Sequence, residues 1–196
     1  MIQIEEKHYI GKGKLQKCFV HPDNDKICLK VNIDQKNPRV NREIFYYKKI
    51  QKKFEIPFIA KYYGEKPTNL GVASMYELIR DETTNNISLS LYDYLKMDDS
   101  PFSDELFISE LEKLKRKMIE HKIFASDLNG SNICCKILKN NSIELIIVDG
   151  VGHRDFIPLV EWFHFLAKRK INKIFLKKKL YSMDEHRTWL RRKYSI

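Results

Sequence analysis

Two stretches of this sequence put oxygen donors where phosphate chemistry would need them. Asp127-Leu128-Asn129-Gly130-Ser131-Asn132-Ile133 carries an aspartate with an asparagine five positions later. Ile146-Ile147-Val148-Asp149-Gly150-Val151-Gly152 then ends an apolar run on a second aspartate beside a glycine. Asp127, Asn132 and Asp149 together offer the hard oxygen ligands that Mg²⁺ demands. A hydroxyl acceptor in front of such an ion needs a carboxylate nearby to take its proton. Taken singly, each aspartate is also a common turn former.

A second group lies nearer the N-terminus. Lys30 alternates in phase with Cys28 and opposite Ile27, Leu29 and Val31, so it leaves the apolar face of its strand. Glu43 shares a helical stripe with Tyr47, Ile50 and Phe54, which turns a carboxylate toward the packed side. An inward acid needs a cation, and Lys30 is the candidate. Gly11-Lys12-Gly13 supplies paired glycines whose backbone can approach a phosphate closely, although an ordinary turn would use them equally well.

The elements that must position these residues follow from periodicity and turn chemistry. Residues 7–33 read as strands, with Pro22-Asp23-Asn24-Asp25 turning between Lys17–His21 and the Ile27–Val31 run. Asn37-Pro38 opens a helix over about 38–53, with Val40, Ile44, Tyr47, Ile50 and Phe54 on one side. Phe58–Gly64 and Gly71–Ile79 are extended, separated by Lys66-Pro67-Thr68-Asn69. A polar connection from Arg80 to Asn86 leads to a short apolar segment, Leu89–Leu95. Ser103 or Asp104 caps a helix striped by Phe107, Leu111, Leu114 and Met118. Strands Ile133–Leu138 and Ile143–Val148 turn at Asn140-Asn141-Ser142, and helical pattern resumes at Leu159, Trp162, Phe163 and Leu166. The expected domains are 1–79, a sheet with one helix, and 80–196, helices plus the two loops.

His153-Arg154-Asp155 spells the H-R-D of kinase catalytic loops, but the residue five beyond Asp155 is Val160 and the triplet follows Asp149. Its order and spacing are wrong for that role. Ala125-Ser126-Asp127 stands in the right place without the His and Arg.

In this order the residues resemble the YrbL family, the PhoP regulatory network proteins, with a protein-kinase-like fold. The likeness runs from about Gly11 to Leu180. It is carried by Gly11-Lys12-Gly13 leading to Lys17-Cys18-Phe19-Val20-His21-Pro22, Arg42-Glu43 with Tyr46-Tyr47, the Asp127–Ile133 loop, and Gly152 through Ile157-Pro158-Leu159. The resemblance implies an α+β, two-lobed protein-kinase-like fold, with a small antiparallel-sheet N-lobe and a reduced helical C-lobe. It implies that Lys30 meets the nucleotide phosphates with Glu43 as its helix partner, that Asp127 is the catalytic base, and that Asn132 and Asp149 ligate Mg²⁺. Tyr76 would precede a hinge, Glu77-Leu78-Ile79, whose backbone meets adenine, with Val20 and Cys28 lining the base pocket. Gln16 stands where a third loop glycine would be, Gly150 stands in place of the DFG phenylalanine, and residues 150–196 hold no A-P-E segment. ATP and Mg²⁺ are the cofactors so implied, in bacterial Mg²⁺ or envelope-stress regulation, and the acceptor is unspecified. A pseudokinase acting as a regulatory interaction module is the alternative.

Composition sets the outer bounds. At 196 residues with 43% hydrophobic and 32% charged residues, the chain can build a core without metal or disulfide staples. Nothing in it has the basic start and apolar run of a signal peptide or the length of a membrane span, so a cytoplasmic protein is expected. Cys18, Cys28, Cys134 and Cys135 have no zinc spacing and read as reduced, packed thiols. The net charge is +10, and residues 160–196 hold +8 of it with eleven basic and three acidic side chains. That end is expected to pack Trp162, Phe163, Leu166 and Leu180 inward and turn its lysines, Lys177 to Lys179 among them, toward an anionic partner. A nucleic-acid-binding protein using this basic C-terminal segment is a further alternative, though no recognisable RNA or DNA module accompanies the charge.

Overall fold

The computed structural model describes residues 1–33, 38–52, 55–152 and 163–194, with Arg39 described in its backbone alone. Asn37, Phe54, the His153-Arg154-Asp155 triplet, Leu159, Val160 and Trp162 lie outside the described residues. The chain divides into two compact units, Met1–Arg80 and Asp81–Ile196.

In the first unit, strands β1 (Tyr9–Lys12), β2 (Gln16–His21), β3 (Asn24–Asn32), β4 (Tyr62–Thr68) and β5 (Gly71–Glu77) form an antiparallel sheet in the order β1-β2-β3-β5-β4. Helix α1 spans Pro38–Gln51 between β3 and β4. Alternation sends Phe19, Leu29, Val31, Ala73 and Met75 to one face, where they bury against Ile4. The opposite face receives Val20, Cys28, Lys30, Ser74 and Tyr76, which are aligned across neighbouring strands. Helix α1 packs against the Tyr76 part of this second face: the Tyr47 ring lies 5.2 Å from that of Tyr76, and Tyr62 joins both. Val40, Ile44, Tyr47 and Ile50 are buried along α1 at the expected spacing, the aliphatic three each worth about 1.5–3 kcal/mol in transfer from water.

Two of the expected boundaries shift. The strand read at Phe58–Gly64 begins only at Tyr62 and runs on through Pro67 to Thr68. β4 is an edge strand, paired with β5 alone in the sheet, so a residue without an N–H is tolerated there. The Pro67 carbonyl accepts the Ile2 N–H at 3.1 Å.

In the second unit, Leu89–Leu95 is largely helical: α2 spans Leu91–Lys96. Ser90 starts it as a capping box, its hydroxyl accepting the Asp93 N–H while Asp93 accepts the Ser90 N–H. Helix α3 (Asp104–Glu120) is capped by Ser103 and buries Phe107, Leu111, Leu114 and Met118 as its spacing dictates. Strands β6 (Ile133–Ile137) and β7 (Ile143–Ile147) make a two-stranded hairpin. Helices α4 (His164–Lys177) and α5 (Met183–Tyr194) follow.

The inward stripe of α4 differs from expectation. Ala167, Ile171 and Phe175 are buried, whereas Phe163 is 50% exposed and Leu166 only half-buried. Phe163 stands at the N-cap, before the helical period begins, and Ala167, Ile171 and Phe175 at four-residue steps define the face toward α3. Among the described residues no helix is long and apolar enough to cross a membrane, and all four cysteines are free thiols.

Candidate active site

The two sets of candidate residues sit in different units. In the sheet unit, Val20, Cys28 and Tyr76 form one row, and Cys18, Lys30 and Ser74 form the next. Lys30 is buried, with its ammonium 4.8 Å from the centre of the Tyr76 ring, where the ring quadrupole favours a cation. Glu43 lies on α1 one turn before Tyr47, the residue that meets Tyr76, and is half-buried. Gly11 pairs with Cys18 on the edge strand, and a side chain there would meet nothing within 4 Å. The Gly13 N–H closes the β1–β2 turn on the Gln16 carbonyl at 2.9 Å. Of the expected hinge, Glu77 and Leu78 spend their N–H groups on the carbonyls of Lys61 and Lys26, and Ile79 is buried.

In the second unit Asp127, Asn132 and the Asp149-Gly150 turn converge. The Asn132 side-chain amide donates to the Asp127 carbonyl at 2.8 Å, and Asn129 donates to the same oxygen at 2.7 Å. Asn129 is fully buried and also accepts the Ser131 N–H and hydroxyl, so the loop is braced from within. Gly150 adopts φ +75°, and a Cβ there would stand 3.1 Å from the Asp127 carbonyl, the Asp127 Cβ and the Asn132 amide nitrogen. Glycine at 150 thus follows from positive φ and close approach together, a physical reason for the missing phenylalanine. The Gly150 N–H donates to Asp149 Oδ1 at 2.8 Å.

Asp127 has 46% of its side chain exposed. Both Lys178 and Lys193 reach its Oδ1, at 2.8 and 3.4 Å. Partial burial works against the charged carboxylate, but the hydrogen bond and charge of Lys178, and then those of Lys193, outweigh it and hold the Asp127 carboxyl below its ordinary range. The carboxylate is therefore ionised at neutral pH and can accept a hydroxyl hydrogen.

His186 carries the two lysines to this place. Its Nδ1 donates to the Lys178 carbonyl at 2.6 Å and its Nε2 accepts the Gly130 N–H at 3.0 Å, which fixes a neutral Nδ1–H tautomer. Burial first, and the ammoniums of Lys178 and Lys193 after it, push its pKa down to about 4 against the opposing backbone hydrogen bond. Gly130 has no room for a side chain, because a Cβ would lie 3.1 Å from His186 Nε2 and 3.2 Å from the Tyr92 nitrogen. At the end of α5 the Tyr194 hydroxyl meets Ser131 Oγ at 2.6 Å.

A family model described as "PhoP regulatory network protein YrbL" matches residues 2–180. The chain belongs to the YrbL family. Proteins described as "Uncharacterized protein YrbL" from Escherichia coli (strain K12) and from Shigella flexneri are each 24% identical over 179 residues, covering 89% of this chain and 85% of theirs.

In this YrbL-family chain the sequence pattern points to the Asp127 loop but not to the side chains that grip it. Lys178 was expected to face outward with Lys177 and Lys179; it is buried at the end of α4 and pairs with Asp127. Lys177 and Lys179 do lie at the surface. Lys178 ends up inside because the chain turns immediately after α4, with Lys179 in a left-handed conformation (φ 60°), and packs Lys178 on Trp189. His186 had one signal, its place with Met183 and Leu190 in the buried stripe of α5. A histidine on an apolar stripe asks for hydrogen-bond partners inside the fold.

Proposed function

We propose that the chain is a kinase-like phosphotransferase that binds ATP with Mg²⁺ and transfers the γ-phosphoryl group to a hydroxyl acceptor, within the PhoP-linked regulation that its family's description names. A protein-kinase-like fold is part of this reading, with residues 1–79 taking the nucleotide and 80–196 supplying the catalytic loop. The observation that carries it is the meeting of Asp127, Asn132 and Gly150, which sets an ionised, half-exposed carboxylate on a hydrogen-bonded loop with the Asn132 amide and the Asp149-Gly150 turn packed against it.

The donor set fits Mg²⁺. The Asn132 nitrogen is spent on the Asp127 carbonyl, its amide oxygen accepts a long bond from the Ser131 hydroxyl at 3.4 Å and keeps a second lone pair for an ion, and Asp149 adds a carboxylate. When bound, the ion would neutralise charge on the phosphates. The chain's own groups do the rest. Lys30 pairs with the nucleotide phosphates and with Glu43, while Val20, Cys28 and Tyr76 give the base an apolar row and Ile79 offers backbone atoms to its edge. Gly11 and Gly13 let the first hairpin lie close to phosphate oxygens. The acceptor oxygen forms its bond to the γ-phosphorus as the bond to the β–γ bridging oxygen breaks. That electron pair leaves with ADP, and the acceptor proton passes to Asp127.

A second reading is favoured by the ammonium pair on Asp127, since a base so held is a weak one: a nucleotide-binding regulatory module without transfer. The two are separated by ADP formation in the purified chain with Mg²⁺ and ATP. Phosphotransfer predicts turnover that Asp127→Asn removes while nucleotide binding persists; binding without turnover in the parent leaves the regulatory module.

A further inference from the structure

We infer that Lys178 and Lys193 form a binding site for a phosphate group beside Asp127, a role that rests on the phosphotransfer reading only in identifying that group as the one transferred. The two ammoniums share one carboxylate oxygen, so the cluster carries an excess positive charge. Each ammonium has three N–H donors. Among the described residues, Asp127 Oδ1 is the hydrogen-bond acceptor for both, which leaves each of them donors to spare. Lys178 is only 11% exposed in its side chain. A cation in excess and nearly out of water is costly to hold unless something anionic meets it.

The surroundings hold the pair in place without neutralising it. Trp189 lies beneath both ammoniums, at 4.6 Å from Lys178 and 5.3 Å from Lys193, and Tyr194 adds a second ring at 5.1 Å from Lys193. Ring faces favour a cation but accept no strong hydrogen bond. His186 stacks on Trp189 and ties the Lys178 carbonyl to the Gly130 amide, so both lysines are seated before any ligand arrives. The nearby Arg187 is the contrasting case, one guanidinium between two carboxylates, Asp104 and Asp184, as a purely structural bridge would have it.

The chemistry selects a phosphate. A phosphoryl group presents three terminal oxygens to the remaining donors, where a carboxylate presents two, and compact ammoniums act on phosphate as point charges. A dianion brought beside Asp127 alone would meet like charge. With Lys178 and Lys193 present on Oδ1, that repulsion is offset while Oδ2 is the oxygen left to face the acceptor among the described residues.

The test follows the Trp189 indole resonance in a ¹H–¹⁵N spectrum of the full chain as inorganic phosphate is added. A saturable shift in the parent is expected, at least tenfold weaker in Lys178→Met and in Lys193→Met and unchanged in the exposed-site variant Lys177→Met. If Lys178→Met fails to give a folded spectrum, Lys193→Met at the more accessible end of α5 decides. The absence of a saturable shift in the folded parent, or equal affinity in a folded lysine variant, overturns the site. The failure of phosphotransfer is separate: phosphate binding at Trp189 with no ADP formed from ATP keeps the site and removes the reaction, whereas unaltered turnover in both lysine variants keeps the reaction and removes the site.

Discussion

The sheet unit and the loop unit hold their candidate residues by opposite means. Lys30, Cys28, Val20 and Tyr76 are aligned by adjacent antiparallel strands, so period-two alternation alone sets which of them share a face. Asp127 and Asn132 sit on a loop whose outer partners come from α4 and α5, with Lys178 and Lys193 lying 51 and 66 residues further along the chain. Which side chains of one strand share a face is a local property, even where the strand's partner is distant; a carboxylate clamped by distant helices has no such local pattern.

That difference can be broken most sharply at Asp127. Asp127→Asn removes the proton acceptor while its backbone carbonyl still anchors Asn129 and Asn132. Transfer should therefore fall by about 10²–10⁴-fold with the nucleotide dissociation constant little changed. Normal turnover in this variant would leave Asp127 without a catalytic role.

The clamp itself should be acid-sensitive. The unfolded chain protonates His186 near its ordinary 6.5 and the folded chain only near 4, so the folded state binds fewer protons between those values. The contribution is complete above about pH 6.5 and is lost as pH falls toward 4, on the order of 3 kcal/mol in all. Asp127, with its carboxyl held low, acts in the same direction below the unfolded carboxylate range. His186→Gln should flatten the thermal stability profile between pH 6.5 and 4. An unchanged slope would show that His186 does not link the loop to α5.

Legibility in the sequence follows the same division. The α1 and α3 stripes, the Lys30 phase and the β6–β7 hairpin were all readable because their physics spans a few residues. Pro67 lies inside β4 and not in the segment separating the two extended runs, because edge position, which excuses a missing N–H, is a property of the sheet and not of the local sequence. Lys178 was misread because a lysine in a run of three looks solvated, and only the turn after α4 puts it on Trp189. Gly150 stood out as a departure from the kinase pattern, and its cause became visible only when the Asp127 and Asn132 backbones and side chains closed on it.

Gly150→Ala sharpens that last point. Positive φ and 3.1 Å neighbours on two sides should cost about 1–3 kcal/mol in chemical denaturation, with the loss read in the stability of the loop unit. A neutral result would mean that the Asp149-Gly150 turn is free to move away from Asp127. At the small end, Lys177→Ala and Lys179→Ala, at exposed positions, should each change stability by no more than about 0.5 kcal/mol. A larger loss in calorimetry would give the outer lysines a part in the clamp.

The most direct measurement is isothermal titration of the purified chain with ATP in the presence and absence of Mg²⁺, repeated for Lys30→Ala and Asp149→Asn. Saturable, Mg²⁺-dependent binding is expected in the parent, weakened about tenfold (about 1.4 kcal/mol) by Lys30→Ala at little cost in thermal stability. Asp149→Asn should remove the Mg²⁺ dependence. No binding to the folded parent at millimolar ATP, or identical affinities in all three proteins, would contradict the nucleotide site and the phosphotransfer reading built on it.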